Sequence, residues 1–191
     1  KGCGIPVVGG GDGGAAVLAG QSVGGGASDM MLIKVGHGVG SGLLLNGSLL
    51  LGSRFAAGEI GHVVVGTHGG PECACGKFGC LETWLAAPRL HARIAAAQAF
   101  DERQSTLTAA ELILREAGRH LGIALAPVVA ALNLAEIVLS GPADLLAGPL
   151  VEATIQTIRD RPRAGFHGDL TLRMTPPGDD IAIRWASVRV L

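Results

Sequence analysis

Tyrosine is absent from this chain, and aromatic residues make up only 3% of it. A core of 191 residues must therefore be built from leucine, isoleucine, valine and alanine. Charge is also scarce: 16% of residues are Asp, Glu, Lys or Arg, and the net charge is −1. A nucleic-acid surface needs a basic face, and this balance provides none. The one local run of arginines, Arg159, Arg161 and Arg163, reads as the basic end of a helix. No apolar run approaches the roughly 18 residues that a membrane helix needs, so no membrane partner is expected. No secretory signal is visible, and the chain starts at Lys1 without an initiator Met, which reads as a piece of a longer protein. Three of the four cysteines crowd into residues 73–80, with no separate partner for each. That spacing argues against a disulfide framework and for a metal site in a reducing cytoplasm.

Glycine is what the chain has in abundance, with 31 residues clustered towards its start. The runs Gly9–Gly11 and Gly24–Gly26 read either as phosphate-type loops or as flexible stretches, and the second reading suits Gly24–Gly26 better. Ile5–Val8 predicts a short strand ending in a turn that holds Asp12, with a small helix over 13–21. Met30–Val35 predicts a strand, and 36–42 a glycine-rich loop. Leu43–Leu45 and Ser48–Leu51 flank Asn46-Gly47, a strong hairpin signal. Val63–Val65 predicts another strand. Helices are expected at 81–86, from Pro88 onward, and after the capping box Thr108-x-x-Glu111. The last of these carries Leu112, Leu121, Leu125, Val128 and Leu132 on its apolar face, with Pro127 expected to kink or break it. Ile137–Leu139 and Leu170–Met174 predict strands, 149–159 and 180–191 helices. Alternating strands and helices give an α/β fold.

His62, Cys73, Cys75 and Cys80 form a candidate metal site. Zinc takes four ligands in a tetrahedron, and thiolate and imidazole suit it. Gly76 and Gly79 let the loop curl back so that Cys80 can join Cys73 and Cys75. Four protein ligands would close the site, making the metal structural. The alternative is a set of buried free thiols beside an unrelated histidine. Three cysteines in one glycine-punctuated loop favour zinc. Cys3 stands apart and reads as a small buried hydrophobe.

Gly58-Glu59-Ile60-Gly61-His62 followed by Cys73-x-Cys75-Gly-x-x-Gly-Cys80-Leu81-Glu82 resembles the signature of the ROK family (repressors, open reading frames and sugar kinases). The resemblance extends to 6–12, the 36–42 loop, Asn133 and Ser140-Gly141-Pro142. It implies an actin-like ATPase fold with two ribonuclease-H-like lobes. Residues 1–28 would end the first lobe and its hinge. Residues 29–191 would form the C-terminal lobe, with the zinc loop at 62–82. It further implies sugar contacts at Glu59, His62 and Glu82, since carboxylates accept hydrogen bonds from vicinal hydroxyls. Asp12 falls where the family has its general base. Gly36, His37, Gly38 and Gly40 fall on a phosphate loop whose amides cradle phosphate, and Gly141 on the nucleotide side. The chain departs from the family at Gly11, where an Asn is usual, and at His37, where a Thr is usual. Gly10, Gly13 and Gly14 replace side chains, and Trp185 stands where a small Gly is favoured.

Two functions follow from the resemblance. One is a sugar-responsive transcriptional regulator, with this chain as the sensing lobe for a sugar or sugar phosphate and DNA bound through an N-terminal module outside it. The other is an ATP-dependent hexose kinase using Mg-ATP. The altered loop and the missing Asn favour the regulator. Family members dimerise or tetramerise, so a homo-oligomer is expected.

Overall fold

The computed structural model describes residues 27–54, 56–66, 69–99, 107–161 and 170–175. Asp12, Cys3, the 5–8 strand, the 13–21 helix, the terminal helix and Trp185 lie outside them. Strand β1, Met30–Val35, is buried on both faces apart from Lys34. Its apolar run Met30–Ile33 is what a central strand requires. β2, Val39–Leu45, pairs antiparallel with β1, and β3, Ser48–Leu49, pairs antiparallel with β2. β4, Glu136–Ser140, and β5, Thr171–Met174, add in parallel on the other side of β1. The sheet order is β3-β2-β1-β4-β5. At its opening end, the Glu136 carboxylate accepts from Ala27 N and from Arg173 Nε.

Helix α1 spans Leu81–Leu85, α2 Ala87–Gln98 and α3 Ala109–Leu132. α4 spans Ala143–Leu146 and α5 Pro149–Asp160. Met31, Ile33, Leu43, Ile137 and Leu139 from the sheet share one apolar core with Leu81, Leu85, Leu90, Leu121, Leu125 and Ile158 from the helices. Each fully buried leucine contributes about 1.5–3 kcal/mol relative to exposure. α3 and α5 touch closely. A Cβ at Gly118 would press on the Leu150 carbonyl, and one at Gly122 on Thr157 and the Thr154 carbonyl, so a side chain at either glycine would force the helices apart.

The structure bears out the Asn46-Gly47 turn: both residues have positive φ, at 51° and 71°. The Thr108 capping box is present, with Glu111 N donating to the Thr108 hydroxyl at 3.2 Å. Four expectations are corrected. The 36–42 loop is only a three-residue turn, because Val39 and Gly40 already pair with Val35 and Lys34 in the β1–β2 ladder. Gly40 is thus a strand residue. Val63–Val65 is no strand. It makes one bridge, Val64 to Cys80, before positive-φ glycines at 66, 69 and 70 turn the chain away. Leu112 is 50% exposed, off the helix face that Leu114, Leu121, Leu125 and Val129 bury. α3 runs on through Pro127, an exposed position where one lost backbone bond is tolerated by packing either side. α4 and a 3-10 turn at Ile60–His62 were not foreseen.

Candidate functional site

The Gly58–His62 segment lies against β2. A Cβ at Gly58 would press on Ser41, whose hydroxyl donates to the Gly58 carbonyl, and one at Gly61 would press on the Val39 carbonyl. The two glycines of Gly-Glu-Ile-Gly-His are therefore contact positions. They let the 3-10 turn sit on β2, which leaves Glu59 exposed at the head of the turn and His62 half-buried at its foot.

From His62 the chain pairs with what will become its own return path. Val65 N donates to Gly79 O at 2.9 Å, and Leu81 N to Val63 O at 2.9 Å. Inside that pairing, Glu72 and Phe78 bridge, Cys73 N donates to Lys77 O, and Gly76 N to Cys73 O. Gly79 has φ 76°, with the Gly69 carbonyl where a Cβ would go. The nested pairing carries all four predicted ligands to one point. His62 Nδ1 lies 3.6 Å from Cys73 Sγ, and Cys75 Sγ lies 3.6 Å from Cys80 Sγ. The four ligand atoms all fall within 4.8 Å of one another. Thiolates at about 2.3 Å from a tetrahedral zinc lie about 3.8 Å apart, so the group fits a metal ion with little movement.

The thiols differ in their electrostatics. A hydrogen bond from the Lys77 backbone lowers Cys75 to about 7, with further help from Cys73, Cys80 and His62. Burial pushes Cys80 up to about 12. A buried thiol held protonated is what a cation would have to convert into a thiolate ligand.

Glu82 joins this cluster to the glycine turn. Its Oε1 lies 3.9 Å from Cys73 Sγ, and its Oε2 accepts from Val39 N at 3.1 Å. The turn is pinned at its other end by Ala87 N, which donates to Gly36 O at 2.9 Å. Gly36 N is taken by Gly38 O. Two of the amides expected to cradle phosphate are thus already occupied. His37 is exposed at the tip. Gly141 follows β4 with φ 153°, against the Val35 carbonyl, so it flanks the glycine turn at the carboxyl ends of two parallel strands. That edge is where open α/β sheets bind ligands.

Of the sequence-predicted residues, His62, Cys73, Cys75, Cys80 and Glu82 come together, with Glu59 on the same turn as His62. Gly36, His37, Gly38 and Gly141 form a neighbouring edge. Gly40 stands in the β1–β2 ladder, and Asp12 is outside the described residues. Sequence reasoning missed the support beneath α1. Trp84 stacks on His120 of α3, with ring centroids 4.2 Å apart, and the Arg93 guanidinium lies 5.5 Å from the Trp84 centroid. Arg93 is paired with Glu116. A Cβ built at Gly70 would lie 3.5 Å from the Trp84 ring, so the cysteine loop passes beside this stack.

Among the described residues, no helix is long and apolar enough to cross a membrane. The family model described as "ROK family" matches residues 2–171. A glucokinase from Halalkalibacterium halodurans is 36% identical over 144 residues, covering 63% of this chain and 43% of the relative. An N-acetylmannosamine kinase from Yersinia pestis is 34% identical over 137 residues, covering 68% and 47%. The chain spans about half the length of these curated relatives. Among solved structures, a ROK family transcriptional regulator described as a homolog of the E. coli MLC protein superposes with a TM-score of 0.78 at 26% identity, over 93% of this chain and 50% of that one. A Streptomyces griseus ROK glucokinase in complex with glucose and AMPPNP gives 0.77 at 20% identity, over 93% and 66%, a likeness of fold. The sheet order and these superpositions give the actin-like ATPase fold, and the match over nearly the whole sequence means that this chain belongs to the ROK family.

Proposed function

We propose that this chain is the sugar-sensing lobe of a ROK transcriptional regulator, with a structural zinc held by His62, Cys73, Cys75 and Cys80. The sugar would be bound by Glu59, His62 and Glu82. The zinc would supply no catalysis. It would hold the His62 ring through Nδ1, leaving Nε2 for a sugar hydroxyl. Residues 1–28 would close the first lobe and hinge, and 29–191 the second. DNA would be reached through a module N-terminal to this chain. The whole would work in the cytoplasm as a homo-dimer or tetramer.

The observation that favours a sensor is the closed glycine turn. With Val39 N on Glu82 and Gly36 N on Gly38, two of its amides are turned to internal partners and away from a phosphate. His37 at its tip brings an imidazole where the family resemblance implies a hydroxyl. A sugar that binds one of two conformations better would shift the balance between DNA-binding and released states.

A second reading is an ATP-dependent sugar kinase, favoured by curated kinase relatives at 34–36% identity. There Asp12 would take the proton from the attacking sugar hydroxyl. The turn and Gly141 would face the phosphates of Mg-ATP.

The test is calorimetry on the intact protein with glucose and N-acetylmannosamine, followed by an ATP-turnover assay with whichever sugar binds. Binding without turnover supports the sensor. Turnover at ordinary kinase rates replaces it with the second reading. In either case Glu59→Gln weakens binding about tenfold or more without lowering the melting temperature, because it removes a charge-assisted acceptor. Unchanged affinity removes Glu59 from the site.

A further inference from the structure

Three glycines border the turn after β1, and only one of them has a neighbour that explains it. A Cβ at Gly36 or at Gly40 would meet nothing within 4 Å. A Cβ at Gly38 would lie 2.6 Å from Glu82 Oε2 and 3.5 Å from Glu82 Cδ, with no other atom within 4 Å. Gly38 is not among the positive-φ glycines, so its backbone would accept alanine without strain. A side chain there would meet only the end of the Glu82 side chain, which would have to shift.

That carboxylate sits in a narrow place. One oxygen is held by the Val39 amide at 3.1 Å, and the other lies 3.9 Å from Cys73 Sγ. Its backbone is fixed two residues after Cys80, in a helix whose Leu81 and Leu85 are wholly buried. With its base anchored, its head can shift only by turning its own side chain, and a methyl group at 38 would take the space its Oε2 now fills.

We propose that Gly38 is a positioning residue of the sugar pocket: the bare Cα opens the space in which Glu82 is held between the turn and the metal loop. The proposal rests on Glu82 as a sugar contact, and it gives Gly38 a role separate from phosphate binding. A phosphate-loop account treats the glycines of the turn alike. The geometry singles out one of them. It also couples the two features: a ligand that draws Glu82 towards itself loosens the Val39 amide at the mouth of the β1–β2 hairpin.

The experiment uses the intact, zinc-loaded protein. Amide hydrogen exchange at Val39 and glucose affinity by calorimetry are measured for wild type, Gly38→Ala, Gly40→Ala, Glu82→Gln and the pair Gly38→Ala/Glu82→Asp. Zinc content and melting temperature are recorded for each. Gly38→Ala is expected to speed exchange at Val39 and weaken glucose binding about tenfold, as loss of one charge-assisted hydrogen bond does, with zinc content retained. Gly40→Ala should match wild type in both. The aspartate, one methylene shorter, should withdraw from the new methyl and recover part of the affinity. Wild-type exchange at Val39 in Gly38→Ala overturns the proposal whether or not glucose binds. So does a loss of affinity that Gly40→Ala shares. If Glu82→Gln leaves the affinity of a binding protein untouched, Glu82 is no sugar contact, and the reading beneath the proposal falls with it.

Discussion

At the scale of single residues, the signature Gly58-Glu59-Ile60-Gly61-His62 has a steric explanation that the letters do not carry. Glu59 and His62 are chemically legible as acceptor and ligand. Gly58 and Gly61 are glycine because the Ser41 and Val39 carbonyls of β2 lie against them. Gly61→Ala tests this, since its backbone is not left-handed and only the contact stands in the way. The variant is expected to lose about 1–3 kcal/mol by overpacking and to bind zinc less tightly, because His62 moves with the turn. Chemical denaturation and metal titration measure both. Unchanged values in both would mean that the turn can lift off β2 freely. Glu82 teaches the same lesson. Its carboxylate is visible in the sequence, whereas its grip on the Val39 amide 43 residues away exists only in the fold.

At the scale of elements, the metal loop has little apolar substance of its own. Phe78 is 57% exposed, and Val63 and Val64 are nearly half exposed. Its order comes from a few backbone bonds and from whatever draws three thiols and an imidazole together. Removing the metal with a chelator should therefore lower the melting temperature and speed hydrogen exchange over 69–80, because site formation is folding free energy. An unchanged melting temperature after verified metal removal, or a protein purified and refolded without any bound metal, would leave Cys73 and Cys80 as buried free thiols and Cys75 as an exposed one. Beneath the loop, α1 has five residues and cannot persist alone. Leu81 and Leu85 anchor it, and the Trp84–His120 stack braces it from α3. Burial, and to a lesser degree Arg119 and Arg93, lower the pKa of His120, against an opposing pull from Glu116. The sign follows from linkage. The folded state prefers the neutral ring, so the unfolded state binds more protons near pH 6.5, and stability from this group is lost as pH falls through that value. Denaturation midpoints at pH 7.5 and 5.5 should accordingly differ less in His120→Gln than in wild type. An equal difference would remove His120 from the acid response.

At the scale of the whole molecule, the C-terminal edge of the parallel strands gathers the glycine turn and Gly141 beside the metal loop. On the proposed reading, the residues assigned to a sugar and those assigned to a nucleotide meet at this one edge. Regulator and kinase differ in whether the second half of that edge is still used. If the protein is a sensor, Asp12→Asn alters no phosphoryl transfer, as none occurs. If it is a kinase, the same variant should lower kcat by two orders of magnitude or more, the contribution of a general base being about 10²–10⁴-fold. A kinase whose turnover survives Asp12→Asn would need another base. The assay belongs to the intact protein, because this chain spans only about half the length of the matched relatives.

The sequence by itself determined the α/β class, the strand at Met30–Val35, the Asn46-Gly47 hairpin, the capped start of α3 and which four residues cluster as a candidate metal site. Each of these is carried by a local pattern: an apolar run, a turn dipeptide, a capping box, a set of thiols close in sequence. Only the tertiary structure decided that 63–65 is the outgoing leg of the cysteine loop and no strand, that Gly40 belongs to β2, that Leu112 faces outward and that α3 continues past Pro127. It also decided that Glu82 closes the glycine turn. These depend on contacts between segments far apart along the chain. Whether an amide meets a carbonyl, a carboxylate or solvent is set by which elements pack together, and no local spacing encodes that.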